Sequence, residues 1–220
     1  MNILQSLAKL LFRDECLICR EIGSPCCENC IKNIPGSMLD NSRPLSEYIH
    51  PVFDYRNKTI SKLIWRLKYS NGTYIADIFG ERTHEVLQSL INELFEMRGV
   101  TSIVFIPIPL SKKRLKERGY NQSELIMKAT LKHELNVPYS IETKTLVRKN
   151  LSSSQVKTKN KSARLLNTQG SFGVLGPESI RGKDIVLFDD VVTTGATLSE
   201  ARKVLLASGA RSVHAIVLAH

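Results

Sequence analysis

Apolar positions along the 220-residue chain fall into two kinds of run. Short continuous runs over 102–108, 184–190 and 212–218 read as strands buried on both faces, with shorter strand candidates at 52–55 and 145–148. Other runs recur at three- and four-residue spacing. Ile60, Leu63, Ile64 and Leu67 predict a helix ending near Tyr69, with Asn71-Gly72 as its stop. Ile78, Phe79, Val86, Leu87, Leu90, Ile91, Leu94 and Phe95 predict the inner face of a long helix over 75–97, closed by Gly99. Further helices are expected over 122–133 and 196–208. Ile3, Leu4, Leu7, Leu10 and Leu11 predict a short packing helix over 1–12, a peripheral membrane helix being the alternative. Trp65, at helical spacing from Tyr69, is assigned to packing. Residues 33–51 read as a connector and 151–161 as a polar, Ser/Lys-rich segment. The element order implies an α/β fold: a parallel sheet covered by helices over 43–220, preceded by a small module over 1–42.

Composition narrows the class. With 42% apolar residues the chain can build an ordinary core, and no apolar run reaches membrane-spanning length. The first residues lack a small-residue cleavage site, so a cytoplasmic protein is expected. The net charge of +10 is unevenly placed. Residues 98–168 hold 15 basic and four acidic side chains, whereas residues 1–42 are nearly balanced. The excess suits a polyanionic small substrate, nucleic acid or solubility alike. The five histidines are scattered and read as surface or packing residues.

All five cysteines lie between positions 16 and 30. Cys16-x-x-Cys19 and Cys27-x-x-Cys30 form two knuckle-like pairs, with Cys26 as a spare neighbour. Two such turns can bring four thiolates to one structural zinc ion. A redox pair or a disulfide staple are the rival readings, and both fit poorly with a chain lacking an export signal.

One segment carries more chemistry than any other. Strand 184–190 ends in Asp189 and Asp190 and opens through Thr193, Thr194, Gly195, Ala196 and Thr197 into a helix. A buried strand delivers its C-terminal end to the crevice where open α/β sheets bind ligands. The small hydroxyls, the glycine and the positive end of the helix make a phosphate cup. Two carboxylates beside it can accept from vicinal hydroxyls, so the segment reads as a receptor for a ribose 5-phosphate. A polar helix cap is the bland alternative, though a cap needs one hydroxyl and no carboxylate pair. No lysine follows the glycine as in a P-loop ATPase.

One strand away, Pro107, Ile108 and Pro109 stiffen a turn that leads into Lys112, Lys113, Arg114, Lys116 and Arg118. That loop is a candidate to face pyrophosphate, with Arg114 and Arg118 favoured for their forked, permanently charged donors. A solvated basic helix face is the alternative.

Asp189, Asp190, Thr193, Thr194, Gly195 and Thr197 match the signature by which type I phosphoribosyltransferases bind 5-phosphoribosyl 1-pyrophosphate (PRPP). The run from Pro107 to Leu110 followed by Arg118-Gly119-Tyr120-Asn121-Gln122 resembles the ComF family, the competence-associated branch of such proteins. So do Phe53-Asp54-Tyr55, Lys68-Tyr69, Gln155, Arg164, Asn167, Gly170 and Phe172, and the paired cysteines resemble that family's zinc ribbon. The extra Cys26 and the 151–161 stretch depart from it. The resemblance implies a type I phosphoribosyltransferase-like sheet with an N-terminal zinc ribbon. It also implies PRPP binding with Mg²⁺, a role in DNA uptake during transformation, and a competence helicase as partner.

Two functional readings follow. In one, PRPP is consumed at the ribose, with Asp189 and Asp190 as the residues closest to catalysis and 148–164 closing as a lid; a purine or pyrimidine salvage enzyme is a variant of this reading. In the other, the pocket only retains a ribose phosphate while the basic surface holds single-stranded DNA. Between residues 98 and 168 only Tyr120 and Tyr139 offer aromatic rings for such a strand, and Tyr120 is expected to pack internally.

Overall fold

In the computed structural model of the chain, residues 14–37, 45–70, 72–149 and 170–220 are described. The expected N-terminal helix, the lid segment beyond residue 149 and three of the family-like residues (Gln155, Arg164 and Asn167) lie outside them, as does the division proposed between residues 42 and 43.

The elements run α1 (Glu28–Lys32), β1 (Ile49–Phe53), α2 (Lys58–Tyr69), α3 (Gly72–Arg98), β2 (Ile103–Pro107), α4 (Lys112–Arg118), α5 (Gln122–Thr130), β3 (Tyr139–Ile141), β4 (Leu146–Arg148), β5 (Phe172–Val174), β6 (Asp184–Val191), α6 (Ala196–Ala207) and β7 (Ser212–Ala219). Five strands pair in the order β1-β7-β6-β2-β3, all parallel, and β4 and β5 form a separate antiparallel pair. The expected parallel sheet with helices on both faces is present. Alternation along the strands divides the core. Phe105, Val186, Phe188, Ile216 and Leu218 face α2, α3 and α5. Val104, Ile106, Ile185, Leu187 and Val217 face α6 and the small hairpin.

Several expectations shift. The first strand occupies 49–53 rather than 52–55, so it takes up the end of the presumed connector and runs along β7 as a sheet edge. The short strand β3 extends the other edge without a buried side chain, which leaves no apolar pattern to read. Helix α5 stops at Thr130, short of His133. Gly72 opens α3 instead of closing α2. A Cβ at Gly72 would meet the Tyr120 ring at 2.4 Å, so this position admits no side chain. Tyr120 is wedged there with its hydroxyl donating to Leu67 O at 2.8 Å, the internal packing role expected of it.

Phe95, expected on the inner face of α3, is 65% exposed. Trp65 and Tyr69 are likewise outside the core, at 60% and 59% exposed. Periodicity places them on one helix, but the sheet needs only the stripe of Ile60, Leu63, Ile64 and Leu67, all buried.

The cysteine segment is docked onto this frame. Cys16, Cys26, Cys30, Ile31 and Ile34 join the same apolar cluster as α3. Around that contact Arg66 pairs with Asp14 at 3.0 Å, Lys32 with Glu81 at 3.0 Å, and Tyr74 donates to Gly23 O at 2.9 Å. No helix among the described residues is long and apolar enough to cross a membrane.

Candidate functional site

Strand β6 is the central strand, flanked by β7 and β2, and its last residues carry the carboxylate pair. Neither acid is turned into the apolar interior. Each is partly exposed at the sheet's C-terminal edge, and each is held by groups from elements far away in sequence. Ser123 Oγ donates to Asp189 Oδ1 at 3.1 Å, and Gln122 Nε2 donates to Asp190 Oδ2 at 3.3 Å. Lys68 Nζ stands 3.0 Å from the same Asp190 oxygen. Backbone amides complete the frame: Asp190 N–H donates to Asp189 Oδ1 at 2.9 Å, and Val191 N–H to Asp190 Oδ1 at 2.7 Å.

The two acids are not equivalent. Burial pushes the Asp189 carboxyl up, and the neighbouring Asp190 charge pushes it further, to about 7. The hydrogen bonds from Asp190 N–H and Ser123, and the Lys68 charge, work in the opposite direction and do not prevail. A carboxyl poised near neutrality in a cleft is the usual mark of a working group.

Beyond Val191 the chain bends through residues 192–195 into α6. Gly195 has φ +72°, a left-handed conformation that a side chain would strain. The bend leaves the first amides of α6 without intrahelical acceptors, apart from a long contact of Ala196 N–H with Thr194 Oγ1 at 3.4 Å. Thr193 and Thr194 are exposed, Thr197 is half-buried and Ala196 is buried. Together with Asp189 these residues line a solvent-open concavity of about 250 Å³.

The stiff turn after β2 lies where the sequence expects it, beside the bend. Pro107 is in register with Phe188, and Ile108 N–H donates to Phe188 O at 2.9 Å. Asn121, which caps α5 by accepting from Ser123 N–H at 3.1 Å, also donates to Ile108 O at 3.0 Å. Ser123 therefore has its amide on Asn121 and its hydroxyl on Asp189, so the Asn121-Gln122-Ser123 step fixes turn and acids together.

The two favoured arginines part company. Arg114 is exposed on α4 and its charge reaches Arg148. Arg118 lies over the Tyr69 ring, 5.3 Å from its centroid. Arg148 stacks at 5.2 Å on Phe172, and its guanidinium is lowered from its ordinary value by burial and by Arg114, while Asp189 opposes the shift. Arg148 thus belongs to the electrostatic surroundings of the acids, a place the sequence reading gave it only as the start of a lid. Lys68, Gln122 and Ser123 had no assigned role either. Lys68 and Gln122 stand within the family-like motifs, which was the available signal; Ser123 lies one residue past one of them.

In the N-terminal segment, the sulfur atoms of Cys16, Cys19, Cys27 and Cys30 all lie within 4.8 Å of one another. Cys19 and Cys27 Sγ are 3.7 Å apart, against about 3.8 Å expected for two thiolates on a tetrahedral zinc with Zn–S near 2.3 Å. The cluster fits structural zinc. Cys26 stays out of it, buried in the core.

Residues 125–220 match the phosphoribosyl transferase domain. Over 205 residues the chain is 27% identical to the DNA utilization protein YhgH of Escherichia coli K12, an alignment covering 91% of this chain and 83% of that protein. With the competence protein ComFC of Streptococcus pneumoniae it shares 28% identity over 216 residues, 93% of this chain and 88% of the other. With ComFC of Bacillus subtilis identity rises to 39% over 116 residues, covering 52% of this chain and 43% of that one. A solved glutamine PRPP amidotransferase from B. subtilis overlaps 70% of this chain and 30% of its own at 16% identity and a TM-score of 0.37, too loosely to bear on the site.

Proposed function

We propose, for a chain that carries a phosphoribosyl transferase domain and is homologous to ComFC and YhgH, that the bend after β6 binds the 5-phosphate of PRPP while Asp189 and Asp190 grip its ribose hydroxyls. One juxtaposition carries the reading: Asp189 lines the same concavity as the open amides and hydroxyls of residues 193–197, with Asp190 next to it at the end of β6. Phosphate oxygens accept from those amides and from Thr193, Thr194 and Thr197, at the positive end of α6. The acids accept from the diol, one hydroxyl each.

The pyrophosphate arm then lies against the turn of Pro107, Ile108 and Pro109. Arg114 faces it, Arg148 flanks it, and Arg118 stands at the rim on Tyr69. Mg²⁺, when bound with PRPP, offsets charge on the pyrophosphate oxygens. Transfer breaks the bond between ribose C1 and the pyrophosphate oxygen, the electron pair leaves with pyrophosphate, and a nucleophile takes its place at C1. The chain's own contribution is to hold the sugar in one orientation and to set guanidinium charge where negative charge accumulates. The names of its relatives, a DNA utilization protein and competence proteins, support a part in DNA uptake; the resemblance to the ComF family adds a competence helicase as the partner to seek. Thiolates of a structural zinc site persist in a reducing compartment, which supports a cytoplasmic location.

Calorimetry with PRPP and Mg²⁺ tests this. Saturable binding is expected, lost by at least 100-fold in the Asp189→Asn/Asp190→Asn double variant. Equal affinity in both proteins removes the ribose assignment, and pyrophosphate release on adding bases or DNA distinguishes transfer from retention.

A further inference from the structure

The exposed aromatic residues of α2 do not stand alone. Lys58, Lys62, Trp65 and Tyr69 are separated by four, three and four residues, so they form one ridge along the helix, and all four are exposed. Trp65 and Tyr69 rest against each other with ring centroids 5.5 Å apart. At the end of the ridge the Arg118 guanidinium covers the Tyr69 ring. Arg118 closes α4, a helix with no buried residue and the sequence KKRLKER. Helices α2 and α4 together carry nine basic side chains and one acidic one. Among the described residues, Lys58, Lys62, Lys112, Lys116 and Arg118 have no carboxylate in ion-pair range.

We propose that Trp65, Tyr69 and Arg118 form a stacking platform for unpaired bases of a single-stranded nucleic acid, whose phosphates are held by the basic flanks of α2 and α4. The charge imbalance selects a polyanion. The aromatic ridge selects within that class, because only unpaired bases have a free π-face to lay on an exposed ring. The Arg118–Tyr69 stack widens the platform, since a guanidinium plane serves a base as an aromatic ring does.

The platform also has a position. Tyr69 follows Lys68, which holds Asp190, and Arg118 precedes the segment from which Gln122 reaches the same carboxylate. A strand lying on the ridge therefore passes the rim of the site assigned above to ribose phosphate. For its part in DNA handling the inference rests on that functional reading; the platform itself rests on the exposed rings and the charge.

Trp65 is the sole tryptophan of the chain, so its fluorescence reports the platform directly. The full-length protein is titrated with a 20-nucleotide oligothymidylate, with the matching dT·dA duplex, and with heparin. Saturable quenching by the single strand is expected, with neither the duplex nor heparin reproducing it. By anisotropy of a labelled oligonucleotide, Trp65→Leu and Tyr69→Leu each bind at least tenfold more weakly. Trp65→Leu, which touches none of the residues assigned to PRPP, leaves the circular dichroism and PRPP calorimetry unchanged. Quenching without PRPP binding in the wild type removes the ribose-phosphate reading and leaves the platform standing. PRPP binding without quenching, or equal quenching by duplex or heparin, overturns the platform. So does self-association abolished by Trp65→Leu with no response to the oligonucleotide, which assigns the ridge to a second copy of the chain.

Discussion

Lys68 Nζ stands 3.0 Å from Asp190 Oδ2 and ties the end of α2 to the end of β6. With side chains 21% and 14% exposed, the pair is screened less than a surface ion pair. It also breaks the symmetry of the adjacent acids: Asp190 has a cation, while Asp189 has the Ser123 hydroxyl and backbone N–H of Asp190.

Removing that cation is expected to raise the Asp189 carboxyl beyond its value of about 7, because Lys68 is one of the groups holding it down. Lys68→Met should therefore move the Asp189 titration upward in carbon-detected NMR. A double-mutant cycle with Asp190→Asn should give a coupling of about 0.5–3 kcal/mol. An unmoved titration would show that the pair does not shape the site.

The raised carboxyl of Asp189 has a consequence for stability. Its folded value near 7 exceeds an unfolded value of about 3.9, so between those limits the folded chain holds a proton that the unfolded chain has released. This contribution is fully present below about pH 4 and is lost as pH rises through 7. Relative to Asp189→Asn, the wild type should lose melting temperature from pH 5 to pH 8. At pH 8 the variant should be more stable by on the order of 1–3 kcal/mol, or several degrees. Parallel pH profiles would contradict the assignment.

Gly195→Ala isolates the backbone of the bend. The nearest atom to a new Cβ is Ile49 Cδ1 at 3.6 Å, an ordinary contact, so the strain comes from φ +72°. A stability loss of about 1–2 kcal/mol in urea is expected, together with weaker PRPP binding. Full stability would show that the bend accepts a side chain and that the glycine has another purpose.

Zinc removal should act on the whole molecule. Cys16 and Cys30 are part of the apolar cluster that covers α3, so the knuckles cannot come apart without exposing it. Metal analysis should find one zinc ion per chain. Cys30→Ser should lose the metal and stability on the order of several kcal/mol. A metal-free protein with an unchanged melt would contradict this.

Much of the fold is legible because its signals are local. The apolar runs of β2, β6 and β7 are continuous, and the carboxylates, bend and helix start occupy one short stretch of chain. The enclosure of the acids is not legible in that way. Lys68, Gln122, Ser123 and Arg148 come from two helices and a strand of the separate hairpin, and only the packing of these elements around the sheet brings them to Asp189 and Asp190. Trp65 shows the limit of periodicity. Its spacing from Tyr69 is that of a core stripe, yet the buried stripe of α2 is set by Ile60, Leu63, Ile64 and Leu67, and the aromatic pair falls on the other face. Phe95 misleads for the same reason near the end of α3, and β3 offers no buried residue from which to infer a strand.

A crystal structure with PRPP and Mg²⁺ bound tests the central claim most directly. The account predicts the 5-phosphate on the amides of residues 194–197, with both ribose hydroxyls within hydrogen-bond distance of Asp189 and Asp190. A phosphate seated instead among Lys112, Lys113 and Arg114, with the two acids free of the sugar, would contradict it.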